Sequence, residues 1–319
     1  VVTRQADRGV VDLGRRSGGG RFTVPAPGEG LLHLLNSGKT DSGKSSTAAK
    51  LIGSLAGRSD MVLVGDDHKA GMELLPWSAR FTEIATTIAH TEDLLGRQVE
   101  QVQRRGQLIL EHSERLGRTI RSWEPWMGPR IVHVVDEGAE LTASRTAIEL
   151  LDSLAARGRA LGVHLIVSTQ YALTSDFPTT LLLNLTGRIC HRMGTAAQYA
   201  TALAVDQGEL RDHGFEPIPE GDRFRGVCYV NGLRGVPDLS RCRTDLVSDE
   251  AIDRRAAATA HLRRSAEQVF GAADAAAGSE ELRVEADGDP QGSRRSETPS
   301  EPPPPVGPPA SIVFGGLTS

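Results

Sequence analysis

The chain reads as an α/β protein with a central, mostly parallel sheet, and three observations carry that reading. Short apolar runs at 31–35, 61–64, 131–135 and 164–168 each end in polar residues, as strands buried on both faces of a parallel sheet do. Segments with apolar residues at helical spacing lie between them. A glycine loop, Gly38-Lys39-Thr40-Asp41-Ser42-Gly43-Lys44-Ser45, joins the first run to a helix-like segment at 46–55.

The loop fits G-x-x-x-x-G-K-[ST], and its strand–loop–helix context makes it a P-loop, the phosphate cradle of nucleotide-hydrolysing proteins. Gly38 and Gly43 let the backbone curl until successive N–H groups face one phosphate. The helix N-terminus adds partial positive charge there. Lys44 is expected to reach the β- and γ-phosphates of ATP, and the Ser45 hydroxyl to ligate Mg²⁺. The nucleotide-binding set is therefore Gly38, Lys39, Thr40, Asp41, Ser42, Gly43, Lys44, Ser45 and Ser46.

Bulk properties set bounds. A length of 319 residues holds one large domain or two small ones. Hydrophobic content of 39% and charged content of 24% suit a globular chain. No apolar run approaches the roughly 18 residues that a membrane span needs. There is no signal peptide, and the chain begins at Val1, which reads as a fragment or a trimmed N-terminus. Cys190, Cys228 and Cys242 are few and irregularly spaced, so neither a zinc site nor a disulfide framework is expected, and a cytoplasmic setting fits. The net charge of −5 resides in the last stretch: residues 271–319 hold eight acids against three bases. The body is close to neutral, which argues neither for nor against a nucleic-acid partner.

Taken in order, residues 1–29 are a polar, glycine-rich lead-in with one edge strand at 21–24. The P-loop unit follows, then the 61–64 strand. Asp67 and Lys69, just after it, either face a ligand crevice or lie in a solvated turn. A short strand is expected at 81–85. A long helix then runs from His90 to Leu116, with Thr91 as N-cap and Gly117 as its stop. Leu94, Leu95, Val102, Ile109 and Leu116 form its apolar stripe. Arg97, Arg104, Arg105, Arg115 and Arg118 decorate the rest, as a solvated face rather than a DNA-binding one.

The run 131–135 (IVHVV) leads into Asp136-Glu137. In P-loop NTPases an acid at the end of such a strand holds Mg²⁺. A glutamate beside it suits a general base for the attacking water. A helix is expected at 143–161, and the 164–168 strand ends in Thr169-Gln170. That glutamine either senses the γ-phosphate or simply closes the strand. A short strand at 188–193 carries Arg188 and Arg192, and 224–230 is expected to be the last strand. A terminal helix at 245–264 is capped at Ser248. The domains expected are a lead-in at 1–29, an ATPase domain at 30–267 and a disordered, acidic and Pro-rich tail at 268–319.

Five stretches together resemble the FtsK/SpoIIIE family of double-stranded DNA translocases: His33-Leu34-Leu35 with the P-loop, GDDHKAGMELLPW at 65–77, VVDEGAEL at 134–141, ARGRALGVHLIVSTQ at 156–170 and RICHRM at 188–193. Asp67, Lys69 and Glu73 match a D-x-K-x-x-x-E-L block. The wording G-M-E-L-x-P-W and the stretch Trp123-Glu124-Pro125 are similar to actinomycete plasmid and integrative-element transfer proteins. The resemblance implies a RecA-like P-loop ATPase that assembles as a hexameric ring around double-stranded DNA. It implies ATP and Mg²⁺ as cofactors, with Ser45 and Asp136 at the metal. Glu137, Lys44 and Gln170 would carry the chemistry, with an arginine reaching a neighbour's γ-phosphate. Arg188 and Arg192 are the candidates, with Arg157 and Arg159 behind them. A membrane anchor supplied by an upstream segment or a partner protein stays open. An ATPase of specialised protein export, built on the same motor fold, is the alternative reading. Two departures stand out. Asp41 replaces a glycine of the family's loop, and Tyr171-Ala172 replace an Arg-Pro step after Gln170.

Overall fold

The computed structural model describes residues 9–26, 33–69, 71–170 and 177–271. Of the tail expected at 268–319, residues 268–270 instead close a short helix, Ala266–Phe270, with Val269 and Phe270 buried. Residues 272–319, and the departures at Tyr171 and Ala172, lie outside the described residues. Strands β1 (Val10–Arg16) and β2 (Arg21–Pro25) form a hairpin. Then come β3 (Leu34–Ser37), α1 (Lys44–Ala56), β4 (Met61–Asp66), β5 (Glu83–Ala85) and α2 (Ile88–Leu116). Next are β6 (Arg130–Val135), α3 (Arg145–Arg157), β7 (Val163–Thr169), α4 (Thr179–Asn184) and β8 (Gly187–Cys190). The chain continues through α5 (Ala196–Leu203), α6 (Gln207–Asp212), β9 (Val227–Asn231), β10 (Arg241–Thr244), α7 (Asp249–Thr259) and α8 (Ala266–Phe270).

The ten strands among the described residues join one sheet in the order β2-β1-β10-β9-β8-β3-β7-β6-β4-β5. From β8 to β5 every pairing is parallel. From β8 outward to β2 every pairing is antiparallel. The expected α/β fold with a mostly parallel sheet is the fold observed.

Side chains alternate across each strand, so continuous apolar runs serve two cores. Val62, Val64, Ile131, Val135, Leu165 and Val167 face one core, with Leu94, Leu95 and Val102 of α2 and Leu151 and Leu154 of α3. Met61, Leu63, Val132, Val134 and Ile166 face the other, with Leu51, Ile52 and Leu55 of α1, Trp77, and Leu13 and Phe22 of the hairpin.

Several elements differ from expectation for identifiable reasons. The lead-in supplies two strands, and Arg15 and Arg16 of β1 pair with Arg243 and Cys242 of β10, so residues 9–26 belong with the ATPase sheet. Helix α2 starts earlier, because the Thr87 side chain accepts from the His90 N–H. Thr91 is buried, and its hydroxyl meets His68 Nε2 at 3.1 Å. The helix expected at 143–161 is broken at both ends. A 3-10 turn at Gly138–Ala143 precedes Ser144, which caps α3 by accepting the Ala147 N–H. Gly162, at φ 78, ends a second turn. The last strand is β10, four residues with alternating burial that carry only a weak apolar signal. Ser248 caps the terminal helix as expected.

Candidate active site

The parallel topology puts the carboxyl ends of β3, β4, β6 and β7 side by side, where α/β sheets bind ligands. A cleft of about 420 Å³ opens there, lined by Lys44, Ser45, Lys69, Glu73, Asp136 and Gln170 among others. The P-loop is held to both neighbouring strands. Gly38 N–H donates to the Thr169 carbonyl at 3.2 Å, and Lys39 N–H donates to the Arg192 carbonyl at 2.9 Å. Lys44 Nζ donates to the Gly38 carbonyl at 2.5 Å. Burial lowers the Lys44 pKa, with the carboxylates Glu137, Asp136 and Glu73 opposing it.

Asp136 ends β6 inside a cluster of acids. Burial, then the charges of Asp67 and Glu73, push its carboxyl up to about 7. The Ser45 hydroxyl donates to Glu73 Oε1 at 2.8 Å. Ser45, Asp136 and Glu73 thus offer hard oxygens at one spot, a donor set that suits Mg²⁺, which takes its remaining ligands from phosphate and water. Among the described residues no group of three or more His, Cys, Asp or Glu forms a metal cage of its own.

Glu137 is 4% exposed and held at both oxygens. Lys69 Nζ donates to Oε2 at 2.9 Å, and the Gln170 N–H donates to Oε1 at 2.9 Å. Burial works to raise its pKa, but the Lys69 and Gln170 hydrogen bonds and the Lys69 charge outweigh it. Glu137 therefore stays ionised below the ordinary carboxylate range. The Gln170 side chain turns toward the P-loop, where its Oε1 accepts from the Thr40 hydroxyl at 3.3 Å.

The geometry resolves Asp67 and Lys69. Asp67 is fully buried and accepts the N–H groups of Lys69, Glu73 and Leu74 at 3.1, 2.8 and 3.0 Å. It folds the turn that delivers Lys69 to Glu137 and Glu73 to Ser45. Neither is a solvated turn residue.

The four arginine candidates lie in different surroundings. Arg188 is 3% exposed, and its guanidinium donates to the carbonyls of Leu182 and Ala202. Within this chain the Arg188 side chain is committed to the core. Arg192 braces the back of the loop in its own chain, donating to Thr40 O at 3.3 Å and Glu220 Oε1 at 3.0 Å. Arg157 and Arg159 are the two of the four that are exposed.

Sequence reasoning passed over the loop's support. Asn36 Nδ2 donates to Lys44 O at 3.1 Å and Ser168 Oγ at 3.2 Å. His191 is buried, and burial pushes its pKa down to about 3, so the ring is neutral. Its Nδ1 faces the Val227 carbonyl at 3.2 Å, which can only accept, so Nδ1 carries the proton. Nε2 then accepts from the Thr47 hydroxyl at 3.0 Å, and Thr47 meets Thr244 at 2.9 Å. The one sequence signal was position: Asn36 and His191 end strands beside the loop.

No protein-family profile matches the chain. Curated relatives do. A sporulation regulatory protein of Streptomyces azureus is 32% identical over 53% of this chain and 59% of its own length. Transfer protein TraSA of Streptomyces ambofaciens is 31% identical over 50% of this chain and 43% of its own. DNA translocase FtsK of Haemophilus influenzae is 27% identical over 70% of this chain and 46% of its own. The resemblance to FtsK/SpoIIIE-type translocases and actinomycete transfer proteins holds. The chain spans about half the length of these relatives. Among solved structures, the conjugation coupling protein TcpA of pCW3, a monomer with ATPγS, superposes with TM-score 0.63 at 21% identity, covering 80% of this chain and 71% of that one. The cytoplasmic domain of the type VII secretion ATPase EccC of Thermomonospora curvata gives 0.60 at 22%, over 83% and 32%. These two similarities speak to the fold. No helix among the described residues is long and apolar enough to cross a membrane.

Proposed function

We propose that this chain is the ATP-hydrolysing motor domain of a double-stranded DNA translocase, working in the conjugative transfer of a plasmid or integrative element. The observation that carries the ATPase reading is Glu137, an ionised carboxylate fixed between Lys69 and the Gln170 N–H, two residues that line the cleft beside the P-loop. The similarity to TraSA and FtsK supports DNA as the cargo.

In this reading ATP lies on residues 38–46 with Lys44 against its β- and γ-phosphates. Glu137 takes a proton from water as the water oxygen attacks the γ-phosphorus, and the bond to the bridging oxygen breaks to leave ADP and phosphate. Lys69 positions Glu137. Gln170 links the cleft to the loop through Thr40 and reports the γ-phosphate. Mg²⁺, held by Ser45 and Asp136, would supply charge neutralisation on the phosphates. Copies assemble as a ring, hexameric by the resemblance, and Arg157 or Arg159 supplies the arginine in trans. The domain works in the cytoplasm, with any membrane anchor lying upstream or in a partner. Contacts to DNA phosphates make translocation largely indifferent to sequence and sensitive to salt.

The test is ATPase activity with and without linear duplex DNA, with Lys44→Ala as the blank. Stimulation by duplex that the blank lacks is the expected result. Basal hydrolysis without stimulation would move the reading to protein export, whose ATPase EccC has a similar fold. Absence of hydrolysis by the wild-type protein would overturn both.

A further inference from the structure

Asp41 stands inside the phosphate cradle where the resemblance expects glycine. It adopts the left-handed backbone of that position, at φ 60, a conformation that aspartate tolerates better than most residues. Its side chain is 76% exposed and turns out of the cradle, to 3.7 Å from Arg225 Nη2. The same nitrogen lies 3.3 Å from Asp222.

Arg225 belongs to the turn before β9, and backbone contacts set that turn against the loop. Gly226 N–H donates to the Ser42 carbonyl at 2.9 Å. A Cβ on Gly43 would stand 2.4 Å from Gly226 N. The Arg225 backbone is therefore fixed one residue from the cradle, while its half-exposed side chain lines the cleft that holds Lys44, Ser45 and Gln170. Its two partners are rim carboxylates, and exposed pairs of this kind hold weakly. A polyphosphate offers several anionic oxygens in the planar geometry that a guanidinium matches best.

We propose that Arg225 is a nucleotide ligand acting within its own subunit, and that Asp41 is the latch that parks it at the mouth of the cleft. ATP or ADP entering the cradle draws the guanidinium from Asp41 to its phosphates. The proposal rests on the nucleotide reading above, and it gives the departure at Asp41 a role: the acid acts on affinity through Arg225.

The experiment is a double-mutant cycle. Affinity for Mg·ATP and Mg·ADP is titrated in the wild-type chain, Arg225→Ala, Asp41→Asn and the double variant. Arg225→Lys is the conservative control, and thermal unfolding without nucleotide checks folding. Arg225→Ala is expected to weaken ATP binding roughly tenfold, as loss of one charge-assisted contact does, with Arg225→Lys partly restoring it. Asp41→Asn keeps a residue that accepts the left-handed backbone. It is expected to tighten binding several-fold when Arg225 is present and to change nothing in the Arg225→Ala background. Equal tightening in both backgrounds would make Asp41 a simple repulsive charge and overturn the latch. Unchanged affinity in Arg225→Ala would remove Arg225 from the site. A wild-type chain that binds no ATP, like Lys44→Ala, would instead overturn the nucleotide reading itself.

Discussion

The two halves of the sheet do different work. The parallel half, β8 to β5, carries the groups assigned to chemistry: Lys44, Asp136, Glu137 and Gln170 all follow its strand ends. The antiparallel half, β9 to β2, contributes none of these, yet it supports the loop that cradles phosphate. Gly226, just before β9, holds Ser42, and Thr244 of β10 bonds to Thr47 of α1. The parallel half supplies the reactive groups, and the antiparallel half adds support to the loop that positions them. Substitutions should therefore separate into losses of rate and losses of position or stability.

The sharpest break is expected at Glu137. Glu137→Gln should lower ATP hydrolysis by about 10²–10⁴-fold, the span of a general base, while nucleotide affinity stays within a few-fold. Single-turnover hydrolysis beside a binding titration measures this. A rate within tenfold of wild type would mean that another group activates water. At the seam between the halves, Gly43→Ala forces a Cβ onto Gly226 N at a backbone φ of 112. Strain and overpacking together should cost roughly 3 kcal/mol, read as weaker ATP binding with a lower unfolding midpoint. Normal values for both would show that the seam can yield.

Arg188→Ala should behave as a stability variant. It leaves the carbonyls of Leu182 and Ala202 without their donor, at a cost of about 2 kcal/mol, measurable by denaturant titration. If stability were unchanged and only hydrolysis in the assembled state fell, Arg188 would be acting on a neighbour after all.

The mildest probe is acid. Burial pushes His33 down to about 4 and His164 down to about 3, so both are neutral in the fold, while in the unfolded chain they take up protons near pH 6.5. The unfolded state then binds more protons below that pH. Stability should decline as pH falls from 6.5 toward 4, by roughly 1.4 kcal/mol per unit for each histidine, with His191 adding a third such loss and the raised Asp136 carboxyl offsetting one of the three. Equal unfolding free energies at pH 6.5 and 5.5 would mean that the rings are protonated in place.

The same division explains what could be read from the residues. The parallel strands are apolar runs ending in polar groups, and the P-loop, Asp136-Glu137 and Gln170 stood where those runs stop. Strand β10, with sequence RCRT and one face exposed, gives no such run, and β1 is interrupted by a register shift between Asp12 and Gly14. Lys69 was legible as polar and near a strand end, but its hold on Glu137 depends on Asp67 folding the intervening turn. Arg188 and Arg192 looked alike in RICHRM. Alternation along β8 sends Arg188 into the core, while Arg192 falls beyond the strand. The Asp41–Arg225 pair joins residues far apart in sequence, and only the packing of the turn before β9 against the loop brings them together.

The two ends of the sheet have a consequence of their own. A strand with one unpaired side is a template for another chain, and long flat edges invite aggregation. Here β5 is three residues long, and its Glu83 is gripped by Arg97 and His90. At the far end, β2 is five residues long, starts at Arg21 and stops at Pro25, and its partner β1 is bulged. Both borders discourage a second copy from adding itself strand to strand. If copies of this domain associate, these edges favour contacts through helices and loops, which can loosen and re-form without unravelling the sheet.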